Sequence, residues 1–190
     1  MVKKHQYKRP QLRKKKIRLS VYARRGRVSD SFDMLTQSEV LLAQSTCGSS
    51  CFLSDTKILM ADGRHKSIVN IKVGESVFSY NHRLQKLVKN KVKEKLIHPY
   101  TQGYYIINKV LKATANHPFY VNGREWKSLG KVSLTDHLLN VKGEAVFIRS
   151  IDRVEKSCTS YNLHLQNKEH NFYAEDILVH NGGAVSWDTK

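Results

Sequence analysis

Apolar and polar positions alternate in short runs from residue 51 onward, and the runs are broken by turn-forming residues. That is the period of half-buried β-strands, not of helices. Lys57-Ile58-Leu59-Met60 runs into Ala61-Asp62-Gly63, a hairpin signal, and then into Ser67-Ile68-Val69-Asn70-Ile71. Gly74 precedes the alternating stretch Glu75 to Tyr80. Leu87 to Ile97 and Tyr104 to Ala113 read as two longer strands joined around Pro99 to Gly103. Asn122-Gly123 turns Phe119-Tyr120-Val121 into Glu125-Trp126, and Lys142-Gly143 turns Leu138 to Val141 into Ala145 to Ile151. Thr159 to Leu165, Phe172 to Ala174 and Ile177 to Val179 follow. Many short strands with regular turns predict an all-β domain, a sandwich or folded-over barrel. No repeat of fixed period is evident.

The first 50 residues have a different texture. Residues 1 to 30 hold 12 of the 33 Lys and Arg residues against one acid, Asp30, within a net charge of +17 for the whole chain. Such an arm could meet a nucleic acid or an anionic surface, or it could be a solvated, disordered tail. Tyr7 and Tyr22 are too few aromatics for a base-stacking platform. Ser38 to Ala43 could form a short helix before the small-residue linker Ser45-Thr46-Cys47-Gly48-Ser49-Ser50. The basic start resembles a secretory signal, but the apolar centre of such a signal never arrives. No export is expected, and no run approaches the roughly 18 to 20 apolar residues of a membrane helix. With 190 residues, 40% hydrophobic and 26% charged, one folded domain with tails is expected. Three cysteines, Cys47, Cys51 and Cys158, make no disulfide framework, and they suit a reducing cytoplasm.

Four islands carry chemistry. Cys51-Phe52-Leu53-Ser54-Asp55-Thr56-Lys57-Ile58 opens the β-rich part directly after the linker. Thr114-Ala115-Asn116-His117 is expected on a strand closed by Pro118. Tyr161-Asn162-Leu163-His164-Leu165 is followed by His170-Asn171-Phe172-Tyr173. Ile177-Leu178-Val179-His180-Asn181 ends at Gly182. Cysteine is a nucleophile that can attack the preceding carbonyl and turn an amide into a more labile thioester, given a proton for the departing amine and donors for the oxyanion. Asparagine can close on its own carbonyl as a succinimide if its geometry is fixed and protons can move.

In their order along the chain, these islands resemble the splicing motifs of inteins and the wider Hint family, closest to bacterial intein-like domains with no inserted homing endonuclease. The resemblance implies a compact, horseshoe-like all-β domain over residues 51–181, with residues 1–50 and 182–190 as flanks that form its substrate. It implies an acyl shift from nitrogen to sulfur at Ser50–Cys51, with His117 as proton donor and Thr114 holding the peptide. It also implies cyclisation of Asn181, helped by His180 and His170, that releases Gly182. The outcome would be single-turnover autocleavage in cis, with splicing as its extension, and no cofactor or metal is implied.

Two positions depart from that pattern. Splicing requires Cys, Ser or Thr after the terminal Asn, whereas this chain has Gly182-Gly183-Ala184. Asn162 stands where inteins usually carry Asp, and Asn cannot ionise. Other readings of the residues are a zinc site built from the three cysteines with some of the nine histidines, and a nucleic-acid-binding protein led by its basic arm. Asn-Gly also forms succinimides in unstructured chains. Finally, Cys47 lies four residues before Cys51, close enough for a turn through Gly48 to bring the two thiols into a disulfide that caps the nucleophile.

Overall fold

The structure, a computed structural model, describes residues 50–181. The basic arm, the expected helix at Ser38 to Ala43, Cys47 and its redox pairing, and the flank from Gly182 onward lie outside the described residues.

The described chain is almost entirely strand. β1 (Phe52–Leu53), β2 (Lys57–Leu59) and β3 (His65–Ser67) lead through a 3-10 turn at Ile68–Asn70 to β4 (Ser76–Asn81). Next come β5 (Lys86–Ile107), β6 (Leu111–Ala113), β7 (Pro118–Val121), β8 (Glu125–Ser128) and a second 3-10 turn at Leu129–Lys131. β9 (His137–Leu139), β10 (Ala145–Phe147), β11 (Ile151–Leu165), β12 (Asn171–Ala174) and β13 (Ile177–His180) complete the order. One sheet runs β11-β1-β6-β5-β4, with β11 also paired to β5. The other runs β10-β9-β7-β13-β12-β2-β3, with β8 on β7. Phe52, Ile58, Phe119, Leu163 and Phe172 are fully buried in the common core.

The hairpin at Asn122-Gly123 forms as the sequence predicts. Both residues have positive φ, 55° and 66°, and the Arg124 N–H closes the turn on the Val121 carbonyl at 3.1 Å. That twist matches the twist of the flanking strands. Other boundaries move. Ser67 to Ile71 is not a strand, because the strand is His65–Ser67 and the chain then coils into the 3-10 turn. Ala145 to Ile151 divides between β10 and the start of β11, which runs unbroken to Leu165.

Pro99 to Gly103 does not separate two strands, since β5 passes through it. Both residues fall within shifts of register against β11. Pro99 lies between His98, opposite Ser160, and Thr101, opposite Cys158. An irregularity of this kind accommodates a residue that has no N–H to give. Gly103 has φ +76°, and a Cβ there would sit 3.1 Å from the Val154 carbonyl oxygen. Turn-forming residues here bend a long strand instead of ending it.

The structure also contains a repeat without a fixed period. Strand, turn, strand, 3-10 turn and strand occur from β2 to β4 and again from β7 to β9. In the first copy Glu75 takes the Lys72 N–H at 2.7 Å and pairs with Lys66 at 2.7 Å. In the second, Asp136 takes the Ser133 N–H at 2.9 Å and pairs with Lys127 at 2.9 Å. A one-residue offset between Gly63-Arg64-His65-Lys66-Ser67 and Gly123-Arg124-Glu125-Trp126-Lys127-Ser128 hides the likeness from a periodic search. Among the described residues no helix is long and apolar enough to cross a membrane.

Candidate functional site

β1 is two residues long and is paired on both sides. Phe52 faces Tyr161 of β11 and Ala113 of β6. This fixes Cys51, which is 0% exposed, at the end of three strands. Thr114 to His117 is a turn and not the expected strand, closed by the His117 N–H on the Thr114 carbonyl at 3.0 Å. The β6 ladder takes one more bond, from the Thr114 N–H to the Cys51 carbonyl at 2.9 Å, and ends there because the Cys51 N–H goes to Thr114 Oγ1 and the Thr114 carbonyl accepts from His117. The chain then reverses into β7, whose first residue, Pro118, has no N–H to offer.

Side chains grip the Ser50–Cys51 peptide from several elements. Its N–H donates to Thr114 Oγ1 at 2.9 Å. Its carbonyl oxygen accepts from Asn162 Nδ2. The Ser50 hydroxyl meets His117 Nδ1 at 3.0 Å. The His117 ring packs against Phe52, centroids 4.0 Å apart, and Phe119, at 5.5 Å, and it is fully buried. Burial, and then the charge of nearby His180, push its pKa down to about 3 against a smaller opposing pull from the backbone of Ser50 and His180. The imidazole is therefore neutral at neutral pH, and its Nε2 closes no hydrogen bond among the described residues.

The other junction is built on the β12–β13 hairpin, in which Asn171 faces His180. Asn171 is fully buried and exchanges bonds with β4. Its Oδ1 takes the Tyr80 N–H at 2.7 Å and its Nδ2 reaches the Tyr80 carbonyl at 2.9 Å. His170, just before it, has φ +51°, a left-handed conformation that costs a non-glycine residue about 1 kcal/mol or more. That conformation presents the His170 carbonyl to Asn181, whose main-chain N–H donates to it at 2.9 Å. The Asn181 side chain is buried, and one amide orientation satisfies both its ends. Nδ2 then donates to the same His170 carbonyl at 3.1 Å and Oδ1 accepts from the Leu165 N–H at 3.3 Å.

His180 Nδ1 lies 2.8 Å from the Asn181 carbonyl oxygen. A carbonyl only accepts, so Nδ1 carries the proton. The His180 ring stacks near that of His170 at 6.2 Å and meets the edge of Trp126 at 5.2 Å. Burial lowers its pKa, and the charge of His170 adds to this against the pull of the Asn181 carbonyl. Val179 of β13 faces Phe119 of β7, which brings this junction beside the His117 turn.

The structure thus gathers Ser50, Cys51, Thr114 and His117 at one junction and His170, His180 and Asn181 at the other. The His170 side chain itself is exposed, so its contact with Asn181 is through the backbone. The sequence showed Asn171 only as the neighbour of His170 and did not single out Trp126, because the burial of the first and the ring contact of the second are set by the fold. Asn162 read as a loss because its contact with Ser50 depends on a strand pairing that spacing does not show.

This arrangement has parallels in known proteins. Solved structures that share the fold include the following three. A bacterial intein-like domain from Clostridium thermocellum is 28% identical with TM-score 0.64, covering 70% of this chain and 100% of its own. A DnaB intein from Synechocystis sp. PCC 6803 is 28% identical with TM-score 0.61, covering 70% and 99%. The gp41-1 intein, 21% identical with TM-score 0.57 over 70% of this chain and all of its own, shares the fold alone. No curated protein matches. The profile of the pretoxin Hint domain matches residues 57–184, which takes in three of the four islands whole and the end of the first, and the chain belongs to that family.

Proposed function

We propose that residues 51–181 form a self-processing domain that cleaves its own backbone at Ser50–Cys51 and at Asn181–Gly182. One observation carries this reading. The Ser50–Cys51 peptide is held at both polar ends, its N–H by Thr114 and its carbonyl by Asn162, beside a buried, neutral histidine. A buried structural cysteine needs none of that.

In the first step Cys51 Sγ attacks the Ser50 carbonyl carbon and the carbon–nitrogen bond breaks. The thiol proton ends on the departing amine, with His117 as the group that delivers it there. In the second, Asn181 Nδ2 attacks the Asn181 carbonyl carbon, the carbon–nitrogen bond to Gly182 breaks, and one Nδ2 proton ends on the departing Gly182 amine. The His180 Nδ1–H is aimed at the oxygen that becomes negative, while the His170 carbonyl holds the nucleophilic amide in place. Gly182 offers no side chain to capture the thioester, so release of the flanks dominates over ligation. The substrate is the chain's own flanking segments, and a reducing cytoplasm would keep Cys51 as a thiol. The reading of a nucleic-acid-binding protein has no observation in its favour among the described residues.

Intact mass of the purified chain, with and without dithiothreitol, tests this. Thiol should speed the appearance of residues 1–50, and a peptide of residues 182–190 should appear independently of thiol. A chain that stays at full mass under both conditions refutes the reading.

A further inference from the structure

We infer that Asn162 is a catalytic residue, the donor that stabilises the oxyanion formed on the Ser50 carbonyl. The inference rests on the self-processing reading above and assigns a role to a residue whose sequence reads as a defect.

The orientation of the amide decides the matter. Asn162 Oδ1 accepts the N–H of Leu163, the next residue, at 2.7 Å. An N–H only donates, so the oxygen must stand on that side, and Nδ2 is left facing the Ser50 carbonyl oxygen, with which it is bonded. The side chain is 1% exposed, and water does not compete for that donor. β11 holds it there, since Tyr161 faces Phe52 and Ser160 faces Leu53 across the β1 ladder.

The acyl shift puts negative charge on this same oxygen. As the Sγ–carbon bond forms, the carbonyl π electrons move to oxygen. As the carbon–nitrogen bond breaks they return, and the thiol proton ends on the amine. Atoms and charge balance as an isomerisation. A neutral amide donates throughout. An ionised carboxylate at residue 162 could keep the Leu163 N–H bond, but it would turn a second negative oxygen toward the oxyanion. Asn162 therefore suits stabilisation of the oxyanion, and a carboxylate suits it only while protonated.

The test uses the full chain and compares wild type with Asn162→Ala and the nearly isosteric Asn162→Asp. Thiol-dependent cleavage at Ser50–Cys51 is followed by mass from pH 5 to pH 8.5, with release of residues 182–190 in the same samples as a readout of folding. Loss of one oxyanion donor lowers rate by roughly 10² to 10³. Asn162→Ala should show a deficit of that size at every pH. Asn162→Asp should show it at pH 8, and its ratio to wild type should recover as pH falls and the carboxyl takes up a proton. A rate for Asn162→Asp equal to or above wild type at pH 8 overturns the inference, as does a ratio that does not change with pH. If wild type shows no thiol-dependent cleavage, the self-processing reading fails and this inference falls with it.

Discussion

The two proposed junctions lie close together but are assembled in opposite ways. At Ser50–Cys51 the contacts come from Thr114, His117 and Asn162, separated along the chain by 63, 67 and 112 residues. At Asn181 the carbonyl contact comes from the adjacent His180, and the amide contacts come from His170 and Leu165, on the strand and loop that lead into the same hairpin. The first site exists only when distant strands have found their register. The second depends on a hairpin and a single polar anchor, Asn171. Chemistry on a residue's own carbonyl can be organised locally, whereas a thioester needs donors on both sides of a peptide that one local segment cannot supply.

The sharpest way to break this comparison is to remove each nucleophile. Cys51→Ala should abolish thiol-dependent cleavage and leave release of residues 182–190 near the wild-type rate, and Asn181→Ala should do the reverse. Release that survives Asn181→Ala would mean that a contaminating protease is at work. Next in size are the histidines. His117→Ala and His180→Ala should each slow their own junction by about 10² or more, as expected for a lost acid–base or oxyanion group. Time courses of the two product masses would show whether each effect stays at its own end.

A third prediction concerns pH and stability. The folded-state pKa of His117 is about 3, below its ordinary value of 6.5. Between those values the unfolded chain binds the proton and the folded chain does not, so stability rises with pH through that window. The contribution is complete above pH 6.5 and is lost as pH falls toward 3. His180 shifts in the same direction but is slightly exposed. Melting temperature of a cleavage-blocked Cys51→Ala, Asn181→Ala chain should fall on acidification. His117→Gln should flatten that fall more than His180→Gln does, and an unchanged slope in both would contradict the burial argument. The smallest effect is expected at Ser50→Ala, which frees His117 Nδ1 from the hydroxyl without touching the peptide. Thiol-dependent cleavage should change by less than about tenfold, the scale of one modest hydrogen bond, and release at Asn181 should not change.

Much of this was legible in the residues alone. Short alternating runs and Asn-Gly determined an all-β chain, because strand periodicity and positive φ are local properties. The order of Cys51, Thr114 to His117, and His180-Asn181 determined the kind of chemistry, because nucleophiles and proton carriers are identified by type. The chain passing unbroken through Pro99 and Gly103 was not legible. Neither residue continues a ladder by itself, and only the partner strand β11 absorbs them as shifts of register. The turn at Thr114 to His117 likewise depended on Cys51, 63 residues away, giving its N–H to the Thr114 hydroxyl and leaving the Thr114 carbonyl to the His117 N–H. Asn162 is the clearest case. Its side-chain type argued against a role, because an amide cannot ionise. Only tertiary pairing of β11 with β1 set its nitrogen on the Ser50 carbonyl, where donating a hydrogen bond, and not carrying a charge, is what the reaction uses.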